Sequence, residues 1–197
     1  MKRTSLFLSP CLLLAIVFTS CAPQTTGIRV PTDIISGFPT PRFTAQADAP
    51  DWLLMAVQFH GHLGPGLVFS CLVGKAGLEA VGAQGYFDVE VTAYGPLAEP
   101  PQSCVLDGLQ LATGATLGKR NINIVESEEY VFVIRNRRTE ATVEIRPTPF
   151  VLELLPPFST DNLPAGEPQD LMQHAETVGR KMLGMSRDEL MVITSIP

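Results

Sequence analysis

Two histidines lie two positions apart in the glycine-rich turn His60-Gly61-His62-Leu63-Gly64-Pro65-Gly66. On a helix, side chains at i and i+2 point about 200° apart, whereas in an extended turn they can converge. Imidazole is the commonest metal-ligating side chain, and loops on rigid scaffolds concentrate binding and catalytic residues. The pair therefore indicates a metal or catalytic site. The alternative is that one histidine caps the preceding helix and the other is an exposed loop residue.

Cys104 and Asp107 lie three positions apart on one side of a predicted helix, opposite its apolar stripe. A cysteine near a helix N-terminus has its thiolate stabilised by the unpaired amides, which makes it a better nucleophile or metal ligand. Asp107 can orient a histidine or bind a metal, and Gly108 is expected to leave space above this surface. Cys104 and Asp107 are therefore catalytic candidates. The alternative is a buried cysteine beside an aspartate that is favourable to the helix dipole.

A third segment, residues 114–121, contains a Gly-Lys pair and superficially resembles a phosphate-binding loop. Such a loop needs four residues between its first glycine and Gly-Lys, followed by Ser or Thr at the head of a helix. Here three residues intervene, Arg120 follows, and a strand is predicted next, so we reject nucleotide binding of this type. Lys119 and Arg120 remain able to meet an anionic ligand, or are ordinary surface charges.

Apolar spacing predicts the elements that position these residues. Four helices are predicted to begin at Asp51, Leu67, Cys104 and Pro168 and to end near Gly61, Gly82, Thr113 and Gly184. Strands are predicted over residues 89–94, 121–125, 130–135, 140–146 and, at an edge, 190–196. The third and fourth strands form a predicted hairpin, and residues 156–168 a Pro-rich loop. This order predicts an α+β fold class, with N-terminal helices plus a mostly antiparallel sheet.

Helical spacing also predicts which residues face the core. The predicted core stripes of the first and last helices are Trp52, Met55, Ala56 and Phe59, and Leu171, Ala175, Val178 and Met182. Gly74 and Gly77 predict close packing of the second helix, and His174 is expected at the surface or partly packed. Cys71 lies on an apolar stripe and is expected in the core.

Composition limits the classes of function. The chain has 197 residues, of which 45% are hydrophobic and 17% charged, so it has one packed domain and is not disordered throughout. Its net charge of −6 and pI near 5.0 exclude a basic surface for nonspecific binding of nucleic acid or anionic lipid.

The N-terminus has the pattern of a bacterial export signal. Lys2 and Arg3 precede an apolar run, residues 6–18, which is shorter than the ~20 residues of a membrane span. Small residues then precede Cys21, which resembles the lipid-attachment cysteine of a lipoprotein, although Phe18 stands where Leu is usual. We expect a signal peptide over residues 1–20, a flexible tether over 21–47 and a domain over 48–197. Localisation in the cell envelope follows, as a membrane lipoprotein or otherwise as a periplasmic or extracellular protein; uncleaved retention as an anchor is the remaining alternative.

Two blocks of the chain together resemble the FmdE-like family, which is related to a component of formylmethanofuran dehydrogenase. The first runs from Phe59 through Gly66 and on to Asp88, and the second from Pro100 through Gln110 and on to Asn121. They match in order and spacing. Ala115 and Arg120 stand where relatives commonly show Cys and Gly, and some relatives carry a Cys where this chain has Gly64.

The resemblance implies an α+β core, often dimeric, with a pocket where the histidine and cysteine motifs meet. His60, His62 and Cys104 are then the expected ligands of a transition metal such as zinc, with Asp107 as a fourth ligand or as a residue that orients one of them. The residues expected to line the pocket and bind a polar or anionic small molecule are Thr116, Lys119 and Asn121.

Three hypotheses follow for the function. The first is an exported, lipid-anchored protein that binds a metal or a small molecule. The second is an enzyme of unknown substrate that uses the same pocket, either a metal-dependent hydrolase or a thiol-based enzyme. The third is a structural pocket in a protein whose function is its homodimer interface. A Cys71–Cys104 disulfide, the one intramolecular pairing left if Cys21 carries lipid, would abolish the site.

Overall fold

The computed structural model describes Pro39, Pro41 and residues 49–155 and 171–197, all within the compact unit Pro39–Pro197. The helices in these ranges are α1 (Asp51–His60), α2 (Pro65–Val81), α3 (Cys104–Thr113), α4 (Pro149–Leu154), α5 (Leu171–Leu183) and α6 (Arg187–Leu190). The strands are β1 (Val89–Gly95), β2 (Ile122–Glu126), β3 (Val131–Asn136), β4 (Thr142–Pro147) and β5 (Met191–Ile196). The predicted leader, Cys21, the tether apart from Pro39 and Pro41, the Pro-rich loop and the helix start at Pro168 lie outside the described residues.

The five strands form one sheet in the order β2-β1-β3-β4-β5. Three of the four strand pairs are antiparallel, and the pair of β1 with β2 is parallel. The combination of helices with a mostly antiparallel sheet confirms the predicted α+β class. The hairpin of β3 with β4 and the edge position of β5 are also confirmed.

The parallel pair of β1 and β2 determines where α3 lies. Parallel neighbours cannot be joined by a tight turn and need a crossover connection, usually a helix. The chain leaves β1 at Gly95, passes through α3 and returns as β2, so α3 is this crossover. Cys104, the first residue of α3, therefore follows the carboxyl end of β1.

Two short helices, α4 and α6, were not predicted. Thr148 caps α4 by accepting a hydrogen bond from the amide of Val151. Ser186 and Glu189 form a reciprocal capping box at α6. Both capping signals are visible in the sequence. Thr148 is followed directly by Pro149, and Ser186 is followed three positions later by Glu189. The helices are too short for apolar spacing to reveal them.

The predicted core face of α1 is confirmed for Ala56 and for the partly buried Trp52, and it is wrong for Met55 and Phe59. The structure buries Leu53, Ala56 and Val57, whereas Met55 and Phe59 are 54% and 59% exposed. Apolar residues occur on nearly every side of α1, so helical spacing fits more than one face. The side that packs against α2 and α3 is the one that is buried.

The predictions for α5 were correct for three of the four stripe residues. Ala175, Val178 and Met182 are buried, but Leu171 is exposed. His174, expected at the surface or partly packed, is buried. It lies in the helix that packs against α2, and this contact withdraws it from solvent.

The central element of the core is α2, which packs against the sheet, α3 and α5 and is buried along most of its length. Its glycines allow these contacts, as predicted. A Cβ at Gly77 would collide with the side chain of Ile134 in β3. A Cβ at Gly74 would lie 2.7 Å from the Cβ of Ala112 in α3.

The space expected above Gly108 is filled by α2. A Cβ at this position would collide with Oγ of Ser70 and would lie 2.5 Å from the carbonyl oxygen of Leu67 and 2.9 Å from the amide nitrogen of Cys71. The Ser70 hydroxyl already donates to the carbonyl of Gly66, over 2.7 Å. Gly108 therefore determines how closely α3 approaches α2.

Replacement of Gly108 by Ala should lower the free energy of unfolding by about 3 kcal/mol or more, because the methyl group meets backbone atoms that cannot move without separating the helices. Urea unfolding followed by circular dichroism measures the change. Gly118→Ala is the matched control, since the nearest atom to its Cβ is Oγ1 of Thr116 at 3.9 Å. Equal stability of the two variants would contradict this account of the α2–α3 contact.

Candidate metal centre

The structure brings together the three predicted metal ligands, although they come from distant parts of the chain. His60 is the last residue of α1, His62 lies in the turn before α2, and Cys104 begins α3. One nitrogen from each imidazole and Sγ of Cys104 all lie within 4.8 Å of one another, at half-buried residues. Such a group of two nitrogens and one sulfur can hold a transition-metal ion.

A glycine turn lets both histidines face the same point. Gly61 ends α1 in the left-handed conformation, with φ of +95°, and its amide donates to the carbonyl of Val57. A Cβ at Gly61 would meet no atom within 4 Å, so the glycine is needed for backbone conformation and not for space. The turn places the rings of His60 and His62 with centroids 4.4 Å apart.

The N-terminus of α2 lies against the start of α3 and so holds Cys104 beside the histidine turn. A Cβ at Gly66 would lie 3.5 Å from the Cβ of Cys104. A Cβ at Gly64 would lie 3.4 Å from Nε2 of His62.

Asp107, in α3, forms a hydrogen bond with His60 at the end of α1. Nδ1 of His60 donates to Oδ2 of Asp107 over 2.7 Å. This hydrogen bond leaves Nε2 of His60 pointing elsewhere, and Nε2 is buried without a hydrogen-bond partner among the described residues. A histidine held by a carboxylate at one nitrogen and free at the other is the usual arrangement of a metal-ligating imidazole. The residues present therefore fit a metal ion, with Asp107 placed to orient His60.

The two histidines differ in how readily they bind a proton. Burial alone would lower the pKa of His60, but its hydrogen bond to Asp107 and the nearby Cys104 thiol outweigh burial and raise the pKa to about 9. Burial lowers the pKa of His62, and the charge of His60 lowers it further. In the metal-free protein at neutral pH, His60 is therefore protonated and His62 is neutral. An ion that binds both imidazoles must displace the proton of His60.

The two cysteines of the described domain have different environments. Both are free thiols, so no disulfide joins them. Cys71 is buried in the apolar core, as predicted, and burial raises its pKa to about 12. Cys104 is only partly buried and is the first residue of α3.

A cavity of about 270 Å³ opens beside the site. Its polar lining residues come from the end of α1 and from the start and body of α3; they are His60, Ser103, Cys104, Asp107 and Gln110. Its apolar lining residues, the apolar wall, are Pro100, Leu106, Leu117, Ile122 and Ile124, of which the last three follow α3 in the chain. A larger groove of about 380 Å³ lies between α2 and α6 and contains none of the candidate site residues.

The three predicted pocket residues lie close together but are not part of this cavity lining. The side-chain amide of Asn121 is buried and donates to the carbonyls of Tyr86 and Val89, and its oxygen accepts from the amide of Thr116. Nζ of Lys119 donates to Oγ1 of Thr116 over 3.3 Å. These bonds stabilise the loop that follows α3, and ligand binding by Thr116, Lys119 and Asn121 stays a prediction.

The apolar wall and Tyr130 are the parts of this region that sequence patterns did not predict. The Tyr130 hydroxyl is buried and has no hydrogen-bond partner among the described residues. Its burial and the charge of Cys104 raise its pKa to about 12. A tyrosine at the start of a strand is ordinary, so no sequence signal distinguished it.

Comparison with known proteins gives one match. A family model described as "FmdE, Molybdenum formylmethanofuran dehydrogenase operon" matches residues 59–192, which is more than half of the chain. The match includes His60, His62, Cys104 and Asp107. Its description refers to an operon and states no reaction for the matched domain. The search of curated proteins returned no match to this chain.

The different environments of Cys104 and Cys71 predict different rates of alkylation. In the native, metal-free chain at pH 8, iodoacetamide should modify Cys104 and leave Cys71 unmodified, because a pKa of about 12 leaves on the order of one Cys71 thiolate in ten thousand. Peptide mass spectrometry after timed quenching measures both rates. In urea the two cysteines should react alike, and equal rates in the native chain would contradict the burial of Cys71.

Proposed function

Since the chain belongs to the FmdE family, we propose that it is a metal-binding member in which His60, His62 and Cys104 hold one zinc ion beside a small-molecule cavity. The observation that carries this proposal is the cluster of three donor atoms together with the buried, unpartnered Nε2 of His60. Nitrogen and sulfur donors suit zinc and copper, whereas magnesium and calcium prefer oxygen.

Each residue has a separate role in this proposal. Asp107 holds His60 through Nδ1 and so presents Nε2. Cys104 supplies a thiolate, and His62 is already neutral and needs to lose no proton. Three protein ligands are typical of sites that keep one position open to a substrate or ligand, and the cavity reaches two of these ligands. A bound zinc ion supplies Lewis acidity at such a position.

Removal of a single ligand should abolish stoichiometric zinc binding. We expect about one zinc per chain in the native protein and almost none in Cys104→Ala or His62→Ala. Asp107→Asn keeps all three ligands but loses the carboxylate that orients His60, so its zinc affinity should fall about 10- to 100-fold. Elemental analysis and competition with a chromophoric chelator measure content and affinity.

The matched control for this experiment is Cys71→Ala, which removes the same type of side chain from the core. It should keep the native zinc content, provided that circular dichroism shows it folded. Near-zero zinc in the native protein and in every variant would contradict the proposed metal site.

A thiol-based enzyme is the second candidate function, because Cys104, His60 and Asp107 also have the order of a nucleophile, a base and an orienting carboxylate. In that case Cys104 would react and His60 would carry the proton. Alkylation of Cys104 by iodoacetamide separates the two candidates. Protection of Cys104 by stoichiometric zinc favours a ligand, whereas fast alkylation that depends on His60 and is unaffected by zinc favours a nucleophile. A metal-dependent hydrolase would also require zinc. Catalytic turnover of a substrate would distinguish it from a protein that only binds the metal.

We further propose that the domain is exported and attached to a membrane through lipid on Cys21. The support is the leader sequence, with Lys2 and Arg3, a short apolar run and small residues before Cys21. Among the described residues, no helix has the length and apolar character needed to cross a bilayer. The expected homodimer stays a prediction.

Replacement of Cys21 by Ala should move the protein out of the membrane fraction, since the lipid would be its membrane attachment. Fractionation of cells followed by immunoblotting measures the distribution. The mass of the N-terminal peptide of the unmodified protein should correspond to a diacylated Cys21. A native protein found entirely in the soluble fraction would contradict the lipid anchor.

A further inference from the structure

We propose that the cavity beside His60 and Cys104 binds a small apolar molecule that carries a single metal-binding head group. This inference rests on the proposed zinc site and specifies the class of its ligand. The cavity lining combines polar residues of α1 and α3 with apolar residues that come mostly from the segment after α3, and these two sets would contact different parts of the same molecule.

The polar residues of the lining offer the atoms that a head group would meet. His60 and Cys104 belong both to the metal-ligand cluster and to the cavity lining. A molecule in the cavity is therefore adjacent to two of the ligands of the proposed ion. Ser103 and Gln110, at the start of α3 and within it, offer neutral hydrogen-bonding groups to that head group.

The charges around the cavity argue against a phosphate or a multiply charged ligand. No lysine or arginine belongs to the described lining. Asp107 is the acidic residue of the described lining, and its carboxylate already accepts a hydrogen bond from His60. Lys119 lies in the following loop, where its Nζ donates to Thr116 and lies 6.0 Å from the ring centroid of Phe87. Apart from the proposed zinc ion, which can neutralise a single negative charge, an anion would thus find no arginine or lysine in the described lining.

The size of the cavity favours a short chain or a small ring. Its volume of about 270 Å³ lies just below the range of about 300–1,000 Å³ that is usual for drug-sized ligands. This size matches a head group with a chain of a few methylenes better than a nucleotide or an oligosaccharide.

The apolar wall has exposed side chains that such a chain would cover. Leu117 is 61% exposed and Ile124 is 43% exposed. Ile124 lies on β2 next to Val125, which has a similar exposure of 40% but does not line the cavity. Adjacent strand residues point to opposite faces, so this pair offers a test of which face the ligand contacts.

Alkyl hydroxamates of increasing length test the proposal. Their head group binds zinc, and the dependence of the Kd on chain length measures the contact of the alkyl chain with the apolar wall. Calorimetry would compare acetohydroxamate, butyrohydroxamate and hexanohydroxamate on the full chain loaded with zinc. Each added methylene should lower the Kd by about two- to fourfold, as expected for burial of a CH₂ group. Ile124→Ser should reduce this gain per methylene, and Val125→Ser should leave it unchanged.

A Kd that does not depend on chain length would overturn the inference, as would inorganic phosphate that binds more tightly than hexanohydroxamate. Equal effects of the two serine variants would overturn it as well. If Ile124→Ser is unfolded, Leu117→Ser provides the same test at a more exposed position. Zinc content is measured first. A chain without zinc overturns the proposed function and this inference together, whereas a zinc-loaded chain with a flat series overturns this inference alone.

Discussion

The close contact between α2 and α3 is the constraint on which the rest of the structure depends. Small residues make it possible: Gly66 lies against Cys104, Gly74 against Ala112, and Gly108 against the backbone of α2. The helix α3 is also the crossover between β1 and β2. Its position therefore depends both on its packing against α2 and on its connections to these two strands. The consequence is chemical, because the start of α3 carries Cys104 and the segment before α2 carries His62. A larger side chain at this contact would separate the thiol from the imidazoles.

The hydrogen bond between His60 and Asp107 occupies Nδ1 of His60 and leaves Nε2 of the same ring free. Nε2 is buried without a partner among the residues that the structure describes. An unpartnered buried polar atom is costly for folding, so a bound ion is the simplest physical reason to keep it. The neighbouring His62 is neutral, because burial and the charge of His60 both lower its pKa. His60 and Cys104 belong both to the proposed metal-ligand set and to the alternative pair of nucleophile and base, and both residues line the cavity.

Much of the fold could be predicted because α2, α3 and the strands have clear apolar periods bounded by glycine or proline. The face of α1 could not, since apolar residues surround that helix and only its packing against α2 and α3 selects one side. For the same reason His174, expected near the surface, is buried by the contact of α5 with α2. In the site, the spacing of His60 and His62, the Cys104–Asp107 pair and the family resemblance predicted the three donor residues that the structure brings together. The apolar wall was missed, because its members come from α3, β2 and two loops and share no pattern along the chain.

By itself, then, the amino-acid sequence determined the types of donor atoms, the glycine that turns the chain between the histidines, the order of helices and strands and, through two separated motifs, the family. Only the tertiary structure decided that Asp107 bonds His60, that Gly108 is filled by α2 instead of leaving a space, and that Asn121 bonds the backbone of its own loop. The physical reason is that local conformation depends on neighbouring residues, whose identities are visible in the sequence. Distances between Asp107 and His60, or between Gly108 and Ser70, depend instead on how closely whole helices pack, and that is settled by the fit of many side chains at once.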